Sequence, residues 1–456
     1  MGEGEADGVN GGYRLRAALA VWIALMAVSI EMMGMTVALP AIAAGLHVPP
    51  AATTWVIKAY LLGILLTLLP ISALGERIGC RRVYQAGLAL YAVAGLSCLA
   101  APTMSWLILF RGFQGVGMAG IVGVNGALVR YIFPKERLTH AFATNALIVS
   151  GFGAAGPSFA SLMIALGSWR WMFLLSPPLC LVSLALGFSA LPDNPRSERY
   201  DGLSALLYSA TIAGIAIGAG AFGETPSAAL AILAATAVIA ILLFRRSLLS
   251  SRPLVPIDLL RSRIFTVSVL TSIGAYTAQT LSFVTLPFLL VRGMHWLETD
   301  IGPLMMSWPI AIACAAPIAG RLAARIPISA LAGIGLTILM AGLAMVLLIP
   351  MHPAFADIAW RLAVCGFGFG FFQAPNNHLV LTSAPFERAG AAAGMQAIAR
   401  HIGQVTGASI AALAFTLRPD RPLAGLAAAT MISGVSAVLS FSRRFVDRPA
   451  IPATAA

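Results

Sequence analysis

Fourteen apolar runs follow one another along this chain, at about 17–39, 52–73, 83–100, 105–127, 140–166, 171–190, 202–222, 228–244, 264–290, 302–321, 327–350, 357–381, 389–416 and 422–442, each bounded by Gly, Pro or charge. Each approaches the about 20 residues a helix needs to cross a bilayer. In hydrocarbon every backbone N–H and C=O must be satisfied within its own segment, so the runs are predicted to be membrane-spanning helices. Composition agrees, since 59% of the 456 residues are hydrophobic and 10% charged. A soluble domain carries about 25% charge, so a soluble globular fold is excluded. The run starting near Ala17 follows a polar stretch with Glu3, Glu5 and Asp7 and is too long for a cleavable signal, so it is expected to remain as the first span.

Charge fixes the expected sidedness. Of 29 Lys and Arg, 21 fall in alternate connections counted from the N-terminus, 4 (Arg170, Arg292, Arg418, Arg421) in the others, and Lys58, Arg111, Arg361 and Arg400 inside runs. The positive-inside bias then places both termini in the cytoplasm of a multi-pass inner-membrane protein. The net charge of +12 comes in small groups without a basic stripe or interleaved exposed aromatics, which argues against nucleic acid. Cys80, Cys98, Cys180, Cys314 and Cys365 show no paired spacing and read as small buried hydrophobes.

A weak repeat links Ser72, Leu74 and Arg77 after the second run to Gly320, Leu322 and Arg325 after the tenth. It predicts two parallel six-helix bundles, 17–190 and 264–442, with two inserted helices and their linkers in 191–263 and cytoplasmic tails at 1–16 and 443–456.

Charges at membrane depth carry the chemistry. Glu31 is the only acid deep inside any predicted helix, and a carboxylate there costs roughly 2.5 kcal/mol or more. Burial favours its neutral form, so proton loading, binding of a cationic substrate, or a structural ion pair with Lys58 of the second span are all open readings. Arg111, with Gln114 one turn on and glycines around it, reads as a relay or gating arginine, or as a side chain snorkelling outward. Gly153, Gly156 and Pro157 in the fifth run suggest a hinge or a proton-tight seam, with packing alone as the plainer alternative. Glu76, Arg77, Gly79, Arg81 and Arg82 set one acid among three arginines at a turn, a candidate cytoplasmic latch. In the second half Gln279, Asn376, Asn377, His378 and Arg400, with His401, are candidate cavity residues, whereas Gly366, Gly368 and Gly370 read as close packing.

These residues carry a resemblance. Glu76 Arg77 x Gly79 x Arg81 Arg82 resembles the GxLaDRxGRR loop signature of the major facilitator superfamily, and Arg111 with Gln114, Gly115 and Gly117 its span-four RxxQGxG signature. Gly156 Pro157 resembles the antiporter signature gxxxGPxxGG. Together with Trp169 to Phe173, Val37 to Pro40 and fourteen spans, the set looks like the drug/proton antiporter family of fourteen-spanners. Ser72, Glu76, Cys80, Ala160, Ser161, Met33 and Thr36 depart from those signatures, while Glu31 aligns with the family's span-one aspartate.

The resemblance implies an all-α major facilitator fold that exports a small amphipathic compound or drug in exchange for protons. A uniporter or importer of a metabolite is the alternative in the same fold. No cofactor is implied, and the partners are protons, a small-molecule substrate and the lipid bilayer, with an accessory efflux subunit left open. No HExxH, GxSxG, phosphate loop or metal-ligand spacing supports an enzyme, and no soluble sensor or filter sequence supports a receptor or channel.

Overall fold

The computed structural model describes residues 11–193, 200–221, 225–250, 253–323, 325–350, 352–385, 388–417 and 423–443. Of the expected tails, 1–10 and 444–456 lie outside the described residues, as do Arg196, Arg199, Arg252, Arg418 and Arg421, whereas 11–16 belong to the first helix and Arg443 is buried rather than part of a tail. No strand occurs among the described residues.

Fourteen helical bodies follow the fourteen apolar runs in order. They are α1 (Gly11–Gly45), α2 (Pro50–Ile78), α3 (Cys80–Leu99), α4 (Met104–Ile132), α5 (Leu138–Leu166), α6 (Ser176–Ala190), α7 (Gly202–Ala221), α8 (Pro226–Leu249), α9 (Arg263–Phe288), a body broken at Met306 into α10 (Glu298–Met305) and α11 (Ser307–Leu322), then α12 (Ile328–Leu347), α13 (Phe355–Thr382), α14 (Ala389–Leu417) and α15 (Leu423–Ser442). Twelve are long and apolar enough to span a bilayer by length and composition. The other two are α3, which carries Arg81, Arg82 and Gln85, and α14, which carries Gln396, Arg400, His401 and Gln404. Several helices overrun their apolar runs by a turn or more, because helical hydrogen bonding continues into polar flanks that hydropathy excludes.

The chain divides into two compact units. The N-terminal unit comprises residues up to Val255 together with Trp296–Pro303, and the C-terminal unit comprises Pro256–His295 and the chain from Leu304 on. Within the N-terminal unit α1 packs on α5 and α6, α4 on α2 and α3, and α3 on α6. Within the C-terminal unit α9 packs on α14 and α15, α13 on α11 and α12, and α12 on α15. The same five pairings thus recur in each unit, at the helix positions the sequence repeat relates. The α7–α8 pair belongs to the N-terminal unit, where α7 lies on α2 through bonds from Tyr208 and Ser209 to the carbonyls of Leu65 and Leu66.

Close backbone approach sets several of these crossings. At the α1–α5 crossing a Cβ on Gly34 would sit 2.7 Å from the Gly156 carbonyl, and one on Gly156 only 2.5 Å from the Ile30 carbonyl. Helix α5 runs unbroken through Pro157. Gly156 thus closes the α1–α5 crossing. Gly153 meets only Met33, at ordinary contact distance. Ser161, where the resembled signature has glycine, donates to the Glu298 carbonyl at 2.7 Å and accepts from the Gly302 amide at 2.8 Å. The glycines of α13 also read correctly as packing, with Gly366 closed against the Trp308 backbone and Gly370 against Ala315 and Ile312. One cysteine departs from expectation: Cys314 is exposed while the other four are buried. It lines an open cavity with Ile338 of α12 and Trp360 and Phe367 of α13, which apolarity alone cannot reveal.

Asp201 ties the ends of α7 and α8. Its carboxylate accepts from Arg246 at 2.9 Å and 3.2 Å and from the Ser204 amide at 3.0 Å. Partial burial pushes this carboxyl up, but the bonds from Arg246 and Ser204 outweigh it and hold it at about 2, below its ordinary 3.8. Its contribution is therefore present above the unfolded value and is lost as pH falls through the folded one. Because the pair is exposed, solvent screening limits that contribution to about 1 kcal/mol or less.

Two outcomes follow for the purified protein in detergent. Gly156→Val should lower its stability by about 1–3 kcal/mol, read as a lower melting temperature, while Gly151→Ala, with nothing within 4 Å of the new methyl, should melt with the parent. Asp201→Asn should melt slightly below the parent near neutral pH, and the gap should close between about pH 4 and about pH 2.

Candidate functional site

The N-terminal unit places its two deepest charges in contact. Glu31 projects from the middle of α1, and Arg111 and Gln114 lie one turn apart on one face of α4. Arg111 Nη1 stands 2.7 Å from Glu31 Oε1, with the two side chains each 2% exposed. The same nitrogen donates to Gln114 Oε1 at 2.6 Å, and Gln114 Nε2 donates to Glu31 Oε1 at 2.7 Å. Ser176, the first residue of α6, donates to Glu31 Oε2 at 2.5 Å. Both carboxylate oxygens are therefore engaged.

The α2–α4 crossing completes the cage. Gly115 packs directly on the Tyr60 carbonyl and Gly63 on the Gly112 carbonyl, positions where any side chain would collide with backbone. That approach brings the Val56 carbonyl within 3.2 Å of Arg111 Nε and the Tyr60 ring within 4.3 Å of its guanidinium carbon. A cation–π face and a carbonyl replace water around the guanidinium. The snorkelling alternative for Arg111 is thereby overturned, because its side chain turns inward and the residue is 1% exposed.

The Glu31–Lys58 pair is overturned as well. Glu31 is paired with Arg111, and Lys58 instead holds its ammonium 4.0 Å from the centre of the Trp55 ring on its own helix. Helix registers explain the choice. Arg111 and Gln114 form a two-donor fork facing α1, which a point-like ammonium does not match.

At the turn between α2 and α3, Gly79 takes φ +111°, a conformation that disfavours side chains. Beyond it Arg81 donates to the Phe188 carbonyl near the end of α6. Arg77 lies 5.9 Å over the Tyr200 ring. Glu76 and Arg82 are exposed and form no ion pair among the described residues, so the acid expected within the latch does not close it in this structure.

The C-terminal unit assembles a second buried polar network that includes only part of the expected set. Asn376 accepts from Arg443 Nη1 at 2.8 Å and donates to Ser272 Oγ at 2.7 Å. Gln396 donates to Ser272 Oγ at 3.0 Å and to Asn377 at 2.8 Å. Arg443 also donates to Ser268 at 2.7 Å and to both oxygens of Ser440, linking α15 to α9 and α13. His378 is exposed, and Gln279 and Arg400 are half-buried; none of their three side chains hydrogen-bonds another described residue. They do not converge with Asn376 and Asn377. Among the described residues the buried His401 ring bonds only Gln404, at 3.0 Å.

Sequence reasoning missed Ser176, Tyr60, Gln396 and Arg443. Ser176 was legible as the lone hydroxyl opening a helix before Pro177 and Pro178. Arg443 was counted as a cytoplasmic-tail charge, yet it is 1% exposed. No linear pattern separates an arginine folded back under a helix end from one in solvent. Among the described residues no group of three or more His, Cys, Asp or Glu could hold a metal ion.

Removal of one partner from a buried pair strands the other charge. Arg111→Met should therefore lower stability by about 3–5 kcal/mol. The double substitution with Glu31→Leu should cost clearly less than the two single changes added together, as a double-mutant cycle in detergent would read.

The chain is similar to known membrane transporters. The model of the Major Facilitator Superfamily matches residues 21–408. The chain is 37% identical over 442 residues to the uncharacterized transporter YebQ of Escherichia coli, covering 96% of this chain and 97% of that one. It is 28% identical to the multidrug resistance protein Stp of Mycobacterium tuberculosis, covering 87% and 75%. It is 24% identical to the riboflavin transporter RibZ of Clostridioides difficile, covering 85% and 86%.

Proposed function

The chain belongs to the major facilitator superfamily, a multi-pass membrane transporter rather than an enzyme, and from that membership we propose a proton-coupled antiporter of the fourteen-span drug-efflux kind. It exports a small amphipathic compound across the cytoplasmic membrane, with both termini cytoplasmic, by alternating access. The observation that carries this reading is the caged carboxylate of Glu31, bound by Arg111, Gln114 and Ser176.

The cage supports coupling for an electrostatic reason. A proton arriving on Glu31 removes the negative charge that holds Arg111 and turns one acceptor oxygen into a donor. The Ser176 and Gln114 bonds, both donated to the carboxylate, then lose an acceptor site. Arg111 is left as a buried cation whose partners are neutral, at a cost of several kcal/mol. A second arrangement of α1 against α4 and α6 that gives Arg111 other partners becomes favoured. Protonation is thus converted into a shift between two states, and a substrate binding the second state better shifts it further. Kinship to a multidrug resistance protein supports drug export. Kinship to a riboflavin transporter supports the second reading, carriage of one metabolite.

The test is proton release from acid-loaded everted vesicles on adding cationic, neutral and anionic antimicrobials, comparing the parent with Glu31→Gln. Substrate-induced release that disappears in Glu31→Gln is the expected outcome. Equal release from both would remove Glu31 from the coupling step. No release with any compound would favour the metabolite carrier.

A further inference from the structure

Three charges lie at membrane depth in the N-terminal unit, Glu31, Lys58 and Arg111, and two of them cancel. Glu31 and Arg111 are 2.7 Å apart, and both Glu31 oxygens are occupied. Lys58 is the remainder. It sits two turns into α2, 8% exposed, and its ammonium has no hydrogen bond or ion pair among the described residues, only the Trp55 ring at 4.0 Å. An ammonium held in an apolar segment costs several kcal/mol unless water or an anion reaches it. A tryptophan face offsets about 2 kcal/mol at most of that.

The placement is also close to the coupling cage. The Val56 carbonyl, two residues before Lys58 on α2, accepts from Arg111. Lys58 takes no part in the cage, whose Glu31 oxygens are held by Arg111, Gln114 and Ser176. Trp55 is 36% exposed, so one turn of α2 presents an aromatic face and a positive charge side by side. With the pair neutralised, the net charge of these buried groups is that of one cation. Such a site repels organic cations and attracts anions.

We propose that Lys58 and Trp55 form the recognition subsite for the negatively charged end of an amphipathic organic anion, whose aromatic or other apolar body packs against Trp55. This rests on the transport reading and narrows its substrate class: Lys58, and not Glu31, meets substrate charge. The role of Glu31 is then confined to the proton.

The test is equilibrium binding to the full chain in phosphatidylcholine nanodiscs, read by fluorescence anisotropy. The probes are fluorescein, an aromatic anion, its methyl ether methyl ester, which has no ionisable group, and ethidium, an aromatic cation. The unmodified protein should bind fluorescein more tightly than the ester or ethidium. Lys58→Met and Lys58→Gln should each weaken fluorescein at least about tenfold, Lys58→Arg should retain most of the affinity, and ethidium should not weaken in any of the three. No fluorescein binding by the unmodified protein, no preference over the ester, or unchanged affinity in Lys58→Met and Lys58→Gln would each overturn the subsite. Fluorescein binding independent of Lys58, together with Lys58-dependent retention of phosphatidylglycerol in mixed nanodiscs, would assign the charge to a lipid headgroup and overturn it too. The preference of the unmodified protein needs no variant to fold. Nor does binding need a proton gradient, so absence of proton exchange in vesicles with Lys58-dependent binding intact would sink the coupling reading alone.

Discussion

A carboxylate and a guanidinium taken out of water each carry a desolvation cost of several kcal/mol, and their attraction repays it only when geometry is good and the remaining lone pairs and protons are satisfied. The Glu31–Arg111 contact meets both conditions. Gln114 bridges the two charges, Ser176 takes the second carboxylate oxygen, and the Val56 carbonyl and Tyr60 ring occupy other parts of the guanidinium. Four helices, α1, α2, α4 and α6, contribute to one polar cluster. Their close crossings are therefore tied to its survival, since widening any of them would leave a buried charge or donor unmatched.

Small residues make that proximity attainable. Lipid chains are as apolar as leucine, so no hydrophobic gain presses membrane helices together, and van der Waals contact and interhelical bonds must suffice. Gly63 and Gly115 bring α2 and α4 within backbone contact, and Gly34 and Gly156 do the same for α1 and α5. Glycine in α5 thus serves the same cluster at one remove, by holding α1 in the register that aims Glu31 at Arg111.

The two units share their helix pairings but not their chemistry. One buries a carboxylate with its arginine, whereas the other builds its network from amides, hydroxyls and Arg443. Glu31 is held within its hydrogen-bond network in the N-terminal unit, whereas the partners identified for Arg443 are oxygens of Ser268, Asn376 and Ser440.

The sequence by itself determined the helices, their order and which charges lie at membrane depth. Burial of backbone polar groups in hydrocarbon leaves a long apolar run little choice but helix, and a charge in such a run is too costly to be incidental. It therefore pointed to Glu31, Arg111 and Gln114, and to glycine-rich seams in α4, α5 and α13. Partner choice was not legible, because it depends on helix rotation and crossing distance, which hydropathy leaves open. Lys58 and Arg111 were equally available to Glu31 along the chain. Only the packed helices gave the carboxylate to Arg111, whose guanidinium and neighbouring Gln114 face α1, and left the ammonium of Lys58 on Trp55. The same physics hid Arg443, since tertiary contacts alone decide whether a charge at a helix end turns to water or folds back among Ser268, Asn376 and Ser440.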